Sequence, residues 1–250
     1  NIDDFYPDLR DDRFAAAVAI FHQRYSTNTF PQWWLAQPFR CLAHNGEINT
    51  IRGNKNWMKS HEIKMASLAF GEHSEDIKPV IPAGASDTAA LDAVFETLCR
   101  AGRDAPTAKL ILVPEAWATD SEMPQAHKAM YNYLASVMEP WDGPAALAMT
   151  DGRWAVAGMD RNALRPLRYT LTADNLLVVG SESGMVLLPE ASIRKKGRLG
   201  PGQMIAVDLE EGTLYEDRAI KDKIAGAHDY GARVKGFRTM ADLPKGGKST

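Results

Sequence analysis

Two short polar clusters, HQRYSTNT (22–29) and HNGEIN (44–49), flank an aromatic block containing two prolines. The second cluster follows the apolar segment Cys41-Leu42-Ala43, and an isolated Asn-Gly in that setting reads first as a tight turn closing a strand. The first cluster gives that pair a second meaning. Arg24 lies 21 positions before Asn45, at the end of another apolar run, Ala15 to Phe21. A guanidinium grips a carboxylate with two parallel hydrogen bonds. An Asn side-chain NH2 beside a Gly backbone N–H offers two donors to one oxygen, as a developing oxyanion requires. Glycine also lets a ligand come close to the main chain. Together, Arg24, Asn45 and Gly46 suit a small zwitterionic substrate.

The elements that must position these groups can be read in order. Residues 1–13 are polar and acidic and read as loop. Ala15–Phe21 (AAAVAIF) reads as a buried strand, with helix as the alternative, and Arg40–Ala43 as a second short strand. Thr50–Phe70 has roughly helical apolar spacing, with Gly53 blurring its start. Ser86 is a good N-cap for the clearest helix, in which Leu91, Val94, Phe95 and Leu98 form one apolar face. An acidic Asp87 in that first turn needs no role beyond the helix dipole. Cys99, beside the apolar face, reads as a small core side chain. A third helix is expected over Pro124–Met138, opened by Ser121 or Glu122. From Ala145 the texture changes to three hairpins, turning at Asp151-Gly152, Ala173–Asn175 and Glu211-Gly212. Helices first and antiparallel hairpins later make this an α+β chain whose sheets are covered by helices.

The 250 residues suffice for one large domain with a core. A hydrophobic content of 45%, a charged content of 24% and a net charge of −3 describe an ordinary globular chain with no nucleic-acid signature. Arg194-Lys195-Lys196 reads as a solvated face. Two cysteines, Cys41 and Cys99, fit a reducing compartment better than a disulfide framework. No apolar run reaches the length of a membrane span. The six histidines lack metal-ligand spacing, and no phosphate-loop motif occurs. His44 reads as a hydrogen-bonded structural histidine, with tuning of an oxyanion hole as the sharper alternative. Trp33-Trp34 reads as packing rather than as a lid. The arginines of Arg161-Asn162-Ala163-Leu164-Arg165-Pro166 read as stabilising a turn between hairpins. Beyond about Ala225 the chain reads as linker or tail.

The run HQRYSTNTFPQWWLAQPFRCLAHNGEINTIRGNKNW resembles the class II glutamine amidotransferase domain of the glutamate synthase large-subunit family. GASDT, MDRNALRPLRY, VVGSESG and PGQMIAVD are similar to the same domain in the same order. The resemblance covers nearly all of residues 1–230 and divides the chain into an amidotransferase domain, 1–225, and a tail, 226–250. It implies the fold of an N-terminal-nucleophile hydrolase, an αββα sandwich of two antiparallel sheets between helices. It also implies that Arg24 binds the α-carboxylate of glutamine and Asp87 its α-ammonium. Asn45 and Gly46 would form the oxyanion hole.

The family's nucleophile is a cysteine at the mature N-terminus, with its own α-amine as base. This chain begins at Asn1, and neither Cys41 nor Cys99 has a free α-amine, so the expectation is a stretch starting partway into the domain, inactive alone. A non-catalytic glutamine-binding or structural module is the alternative. The resemblance further implies cytoplasmic ammonia transfer to 2-oxoglutarate by downstream synthase domains. The parent protein would carry FMN and an iron–sulfur cluster, with a smaller NADPH-oxidising β subunit as partner.

Overall fold

A computed structural model describes residues 2–23, 31–65 and 67–238. In chain order its elements are α1 (Ile2–Phe5), β1 (Leu42–Gly46), α2 (Ile51–Glu62), α3 (Asp87–Arg100), α4 (Ala105–Leu112), α5 (Gln125–Ala135), β2 (Ala145–Thr150), β3 (Trp154–Met159), β4 (Arg168–Thr172), β5 (Leu177–Gly180), β6 (Ile193–Arg198), β7 (Met204–Asp208), β8 (Thr213–Tyr215), α6 (Asp217–Gly226) and α7 (Tyr230–Val234).

Local chemistry sets most of these boundaries. Ser86 caps α3 by accepting from the Ala89 N–H at 3.0 Å, and Leu91, Val94 and Phe95 are wholly buried on its inner face. The three hairpins form as the turn residues require, pairing β2 with β3, β4 with β5 and β7 with β8. Helix α4 has no counterpart in the sequence reading. Asp104 caps it through the Thr107 N–H at 2.9 Å, and Pro106 sits in its first turn.

Five strands make sheet A in the order β1-β2-β3-β7-β8, and three make sheet B in the order β5-β4-β6. Every pairing is antiparallel. The central strands of sheet A are apolar on both faces. Leu147, Met149, Val156 and Met204 belong to one core with Phe95, Leu110 and Met130 of the helices. Their neighbours Ala146, Ala157, Met159 and Ile205 belong to a second core with Tyr169, Leu167 and Val179 on the sheet B side. Helices therefore cover one face of sheet A and sheet B covers the other, which explains the continuous apolar runs. This is the α+β organisation of two antiparallel sheets with helices that the sequence implies.

Several expectations change. Ala15–Phe21 forms no strand; it is irregular and mostly exposed, because no ladder among the described residues includes it. An apolar run becomes a strand only when a neighbour takes up its backbone hydrogen bonds. The second strand spans Leu42–Gly46 rather than 40–43, so Asn-Gly lies in the strand's end and not in a hairpin turn. Helix α2 stops at Glu62, and Leu68, inside the expected range, is fully exposed. Helix α5 starts at Gln125 after Pro124, with no side-chain cap from Ser121 or Glu122. Arg194-Lys195-Lys196 is exposed as expected, but as part of β6. Trp33 is 96% exposed and so is not packing among the described residues. Packed chain continues past residue 225: Tyr230 is buried, against Tyr133.

Candidate active site

Helix α3 carries two carboxylates that hold strand β1 at both ends. At the leading end, buried Asp92 accepts from the backbone N–H groups of Arg40 (3.3 Å), Cys41 (2.9 Å) and Leu42 (3.0 Å). Burial raises its pKa, while those three N–H bonds oppose the rise. At the trailing end, Asp87 Oδ2 accepts from the Ile48 N–H at 2.9 Å. That contact places the Asp87 carboxylate beside the backbone that has just passed through Asn45 and Gly46. Asp87 is only half-buried, and its second oxygen meets the Thr88 hydroxyl at 3.4 Å. One oxygen is thus committed to the main chain and the other keeps acceptor capacity.

Glycine at position 46 is a steric necessity. Its φ is +146°, and a Cβ there would lie 1.7 Å from the Pro144 carbonyl oxygen. The loop after β1 is stitched to the segment before β2 by Glu47 N–H to Pro144 O (3.0 Å) and Asn49 N–H to Asp142 O (2.7 Å). Arg161 Nη2 grips Asp142 Oδ2 at 2.6 Å, which ties the stretch after β3 to the segment before β2. Asp160, buried, ties the Ala145 N–H (2.9 Å) to the Asn162 N–H (2.8 Å). Asn45 itself is exposed, so its side-chain amide is open to a ligand. The result is a strand end, fixed on both sides, that presents an amide side chain and a close-approach glycine, with a carboxylate nearby.

His44, immediately before this pair, is 3% exposed. Its Nδ1 lies 2.9 Å from Thr88 Oγ1, its backbone N–H donates to Gln37 Oε1 at 2.6 Å, and its Nε2 has no hydrogen-bond partner among the described residues. Burial is the main cause that pushes its pKa down, to about 4, with Arg165 and His22 adding to the effect and Asp87 opposing it. The ring is therefore neutral near pH 7.

The cysteines are unlike nucleophiles. Burial pushes the Cys41 thiol up to about 11 and raises Cys99 further. No group of three or more His, Cys, Asp or Glu among the described residues could hold a metal ion. Two protonated thiols do not fit a four-thiolate iron–sulfur cluster. No described helix is long and apolar enough to cross a membrane.

Of the four expected site residues, Asn45, Gly46 and Asp87 are brought together, and Arg24 lies outside the described residues. Sequence reasoning missed Thr88, Asp92 and Asp160. The first sits in GASDT beside Asp87, but nothing in the spacing reveals that it reaches back 44 residues to His44.

The sequence profile of the class-II glutamine amidotransferases matches residues 1–233. The chain is 59% identical over 241 residues to the glutamate synthase [NADPH] large chain of Azospirillum brasilense, covering 96% of this chain and 16% of that one. It is 47% identical over 234 residues to the chloroplastic ferredoxin-dependent glutamate synthase 2 of Arabidopsis thaliana, covering 92% and 14%. Among solved structures it is similar to the glutamine phosphoribosylpyrophosphate amidotransferase of B. subtilis, at 18% identity and a TM-score of 0.37, covering 70% of this chain and 28% of that one. The chain thus spans about a sixth of the length of those synthases. A profile matched over almost its whole length shows that it belongs to the class-II glutamine amidotransferase family.

Proposed function

We propose that this region is the glutamine-binding and oxyanion-hole part of the glutaminase domain of a glutamate synthase. Glutamine would lie across the end of β1. Its α-carboxylate would be gripped by Arg24 and its α-ammonium by Asp87 Oδ1, which keeps acceptor capacity beside its long contact with Thr88. As a nucleophile attacks the side-chain amide, the charge developing on the carbonyl oxygen would be met by the Asn45 amide and the Gly46 N–H. Because those donors act on charge that exists only during reaction, they would raise turnover more than affinity. The observation that carries this reading is the Asp87–Ile48 contact, which holds a carboxylate on the backbone two residues past the Asn-Gly pair.

The nucleophile is assigned to an N-terminal cysteine outside these 250 residues, since both thiols here are held protonated. The same observation favours a second reading for the isolated chain, glutamine binding without hydrolysis. Ammonia would pass to 2-oxoglutarate in synthase domains elsewhere in the full polypeptide, which would also hold the FMN and the iron–sulfur cluster and meet a smaller NADPH-oxidising subunit. The setting would be cytoplasmic. Residues 226–250 would lead toward those domains.

Glutamine hydrolysis by the 250-residue chain, measured beside the full gene product, tests this. Activity is expected only in the full product, with Asn45→Ala lowering kcat about 10²–10³-fold and leaving KM nearly unchanged. In the same product, Arg24→Lys should weaken glutamine binding, because an ammonium cannot reproduce the two-pronged grip. Hydrolysis by the 250-residue chain, or an unchanged kcat in Asn45→Ala, would overturn the assignment.

A further inference from the structure

We propose that His44 and Thr88 form a positioning pair that aims the Oδ1 oxygen of Asp87 at the substrate ammonium, so that they set the enzyme's demand for an α-amino group. The inference rests on the reading of Asp87 given above.

Thr88 Oγ1 lies 2.9 Å from His44 Nδ1 and 3.4 Å from Asp87 Oδ1. A threonine hydroxyl has a single proton to give. A carboxylate cannot donate, so the longer contact, to Asp87, is a hydrogen bond only if Thr88 donates it. The hydroxyl oxygen must then accept from His44, which requires the imidazole proton on Nδ1. The partnerless atom points to the same tautomer. His44 Nε2 is buried without a partner among the described residues. With the proton on Nδ1 that atom is a bare lone pair, and an unmet acceptor is tolerated in protein interiors more often than an unmet N–H. The ring is further held by its backbone N–H on Gln37 and by its place in β1 beside Leu147 of β2. Direction therefore runs one way, from Nδ1–H to the hydroxyl and from the hydroxyl to the carboxylate.

Asp87 is then held from both sides, by the Ile48 N–H on Oδ2 and by Thr88 on Oδ1. Neither bond exhausts its oxygen, since a carboxylate oxygen accepts more than one donor. A carboxylate fixed in this way meets an ammonium without first losing rotational freedom, which is how preorganisation raises affinity. Arg24 and the oxyanion donors would not depend on the relay.

The test uses the full gene product and two ligands, glutamine and glutaramate, which is glutamine without its α-ammonium. KM and kcat are read for glutamine, and Ki for glutaramate as a competitive inhibitor. Thr88→Val removes the hydroxyl at nearly constant volume. It should raise the glutamine KM about tenfold, roughly the size of one hydrogen bond to a charged group, with kcat within about twofold and the glutaramate Ki unchanged. Thr88→Ser keeps a hydroxyl and should restore the glutamine KM. His44→Asn, whose amide can donate from near the Nδ1 position, should stay near wild type, whereas His44→Leu should behave as Thr88→Val. Asp87→Asn serves as the reference. If it leaves the preference for glutamine over glutaramate intact, the reading of Asp87 itself fails. If it abolishes that preference while Thr88→Val and His44→Leu keep it, or weaken both ligands equally, the positioning pair is overturned.

Discussion

Asp87 and Asp92 stand on one helix and both bind backbone N–H groups of or beside β1, yet they are spent differently. Asp92 is 4% exposed and accepts from three successive backbone groups, so its carboxylate is consumed in fastening the strand. Asp87 takes one backbone N–H and one long hydroxyl contact, and remains half-buried. The contrast separates a structural acid from one with capacity left for a ligand. Both uses depend on the same helix being rigid, and α3 is rigid because its apolar face is wholly buried and Ser86 caps its start.

Three variants would break or sharpen the contrast. The largest effect belongs to Asp92→Ala, which strands three N–H groups, two of them buried. It should cost roughly 3–5 kcal/mol in a denaturant titration; a loss under about 1 kcal/mol would show that β1 is held otherwise. Next comes the acid limb of stability. His44 is kept neutral in the fold with a pKa near 4, against an ordinary value of 6.5. Between those values the unfolded chain takes up a proton that the folded chain refuses, so stability is full above pH 6.5 and falls as pH drops toward 4. The fall attributable to this ring is about 3 kcal/mol, and His44→Asn should remove it. An unaltered pH–stability curve in that variant would place the acid sensitivity elsewhere. The smallest effect is that of Ser86→Ala, about 1 kcal/mol from the lost cap, read by thermal melting.

What the sequence reveals here follows from the range of the interaction. The Ser86 cap and the turns at Asp151-Gly152 and Glu211-Gly212 are decided by residues within four positions, and each is where local chemistry puts it. Asn45 and Gly46 stand out as a pair, but the reason position 46 must be glycine is Pro144, almost a hundred residues on. The roles of Asp92 and Thr88 come from partners more than forty residues away, and an aspartate or threonine within a helix carries no mark of them. Ala15–Phe21 fails for a related reason: apolar character records a demand for burial, and cannot show whether a neighbour meets it. Lys109 is the reverse case. It lies wholly buried in α4, with Nζ donating to the Met159 carbonyl at 3.0 Å, where a charged residue reads as solvent-facing.

The central claim is that Asp87 is free for a ligand where Asp92 is not. Asp87→Asn tests it most directly, in the full gene product, through glutamine affinity and melting temperature measured on the same sample. The amide oxygen can still accept from Ile48, so the melting temperature should stay near wild type while glutamine affinity falls about tenfold or more. An unchanged affinity, or a collapse in stability like that of Asp92→Ala, would show that Asp87 is a second structural anchor and not a substrate ligand.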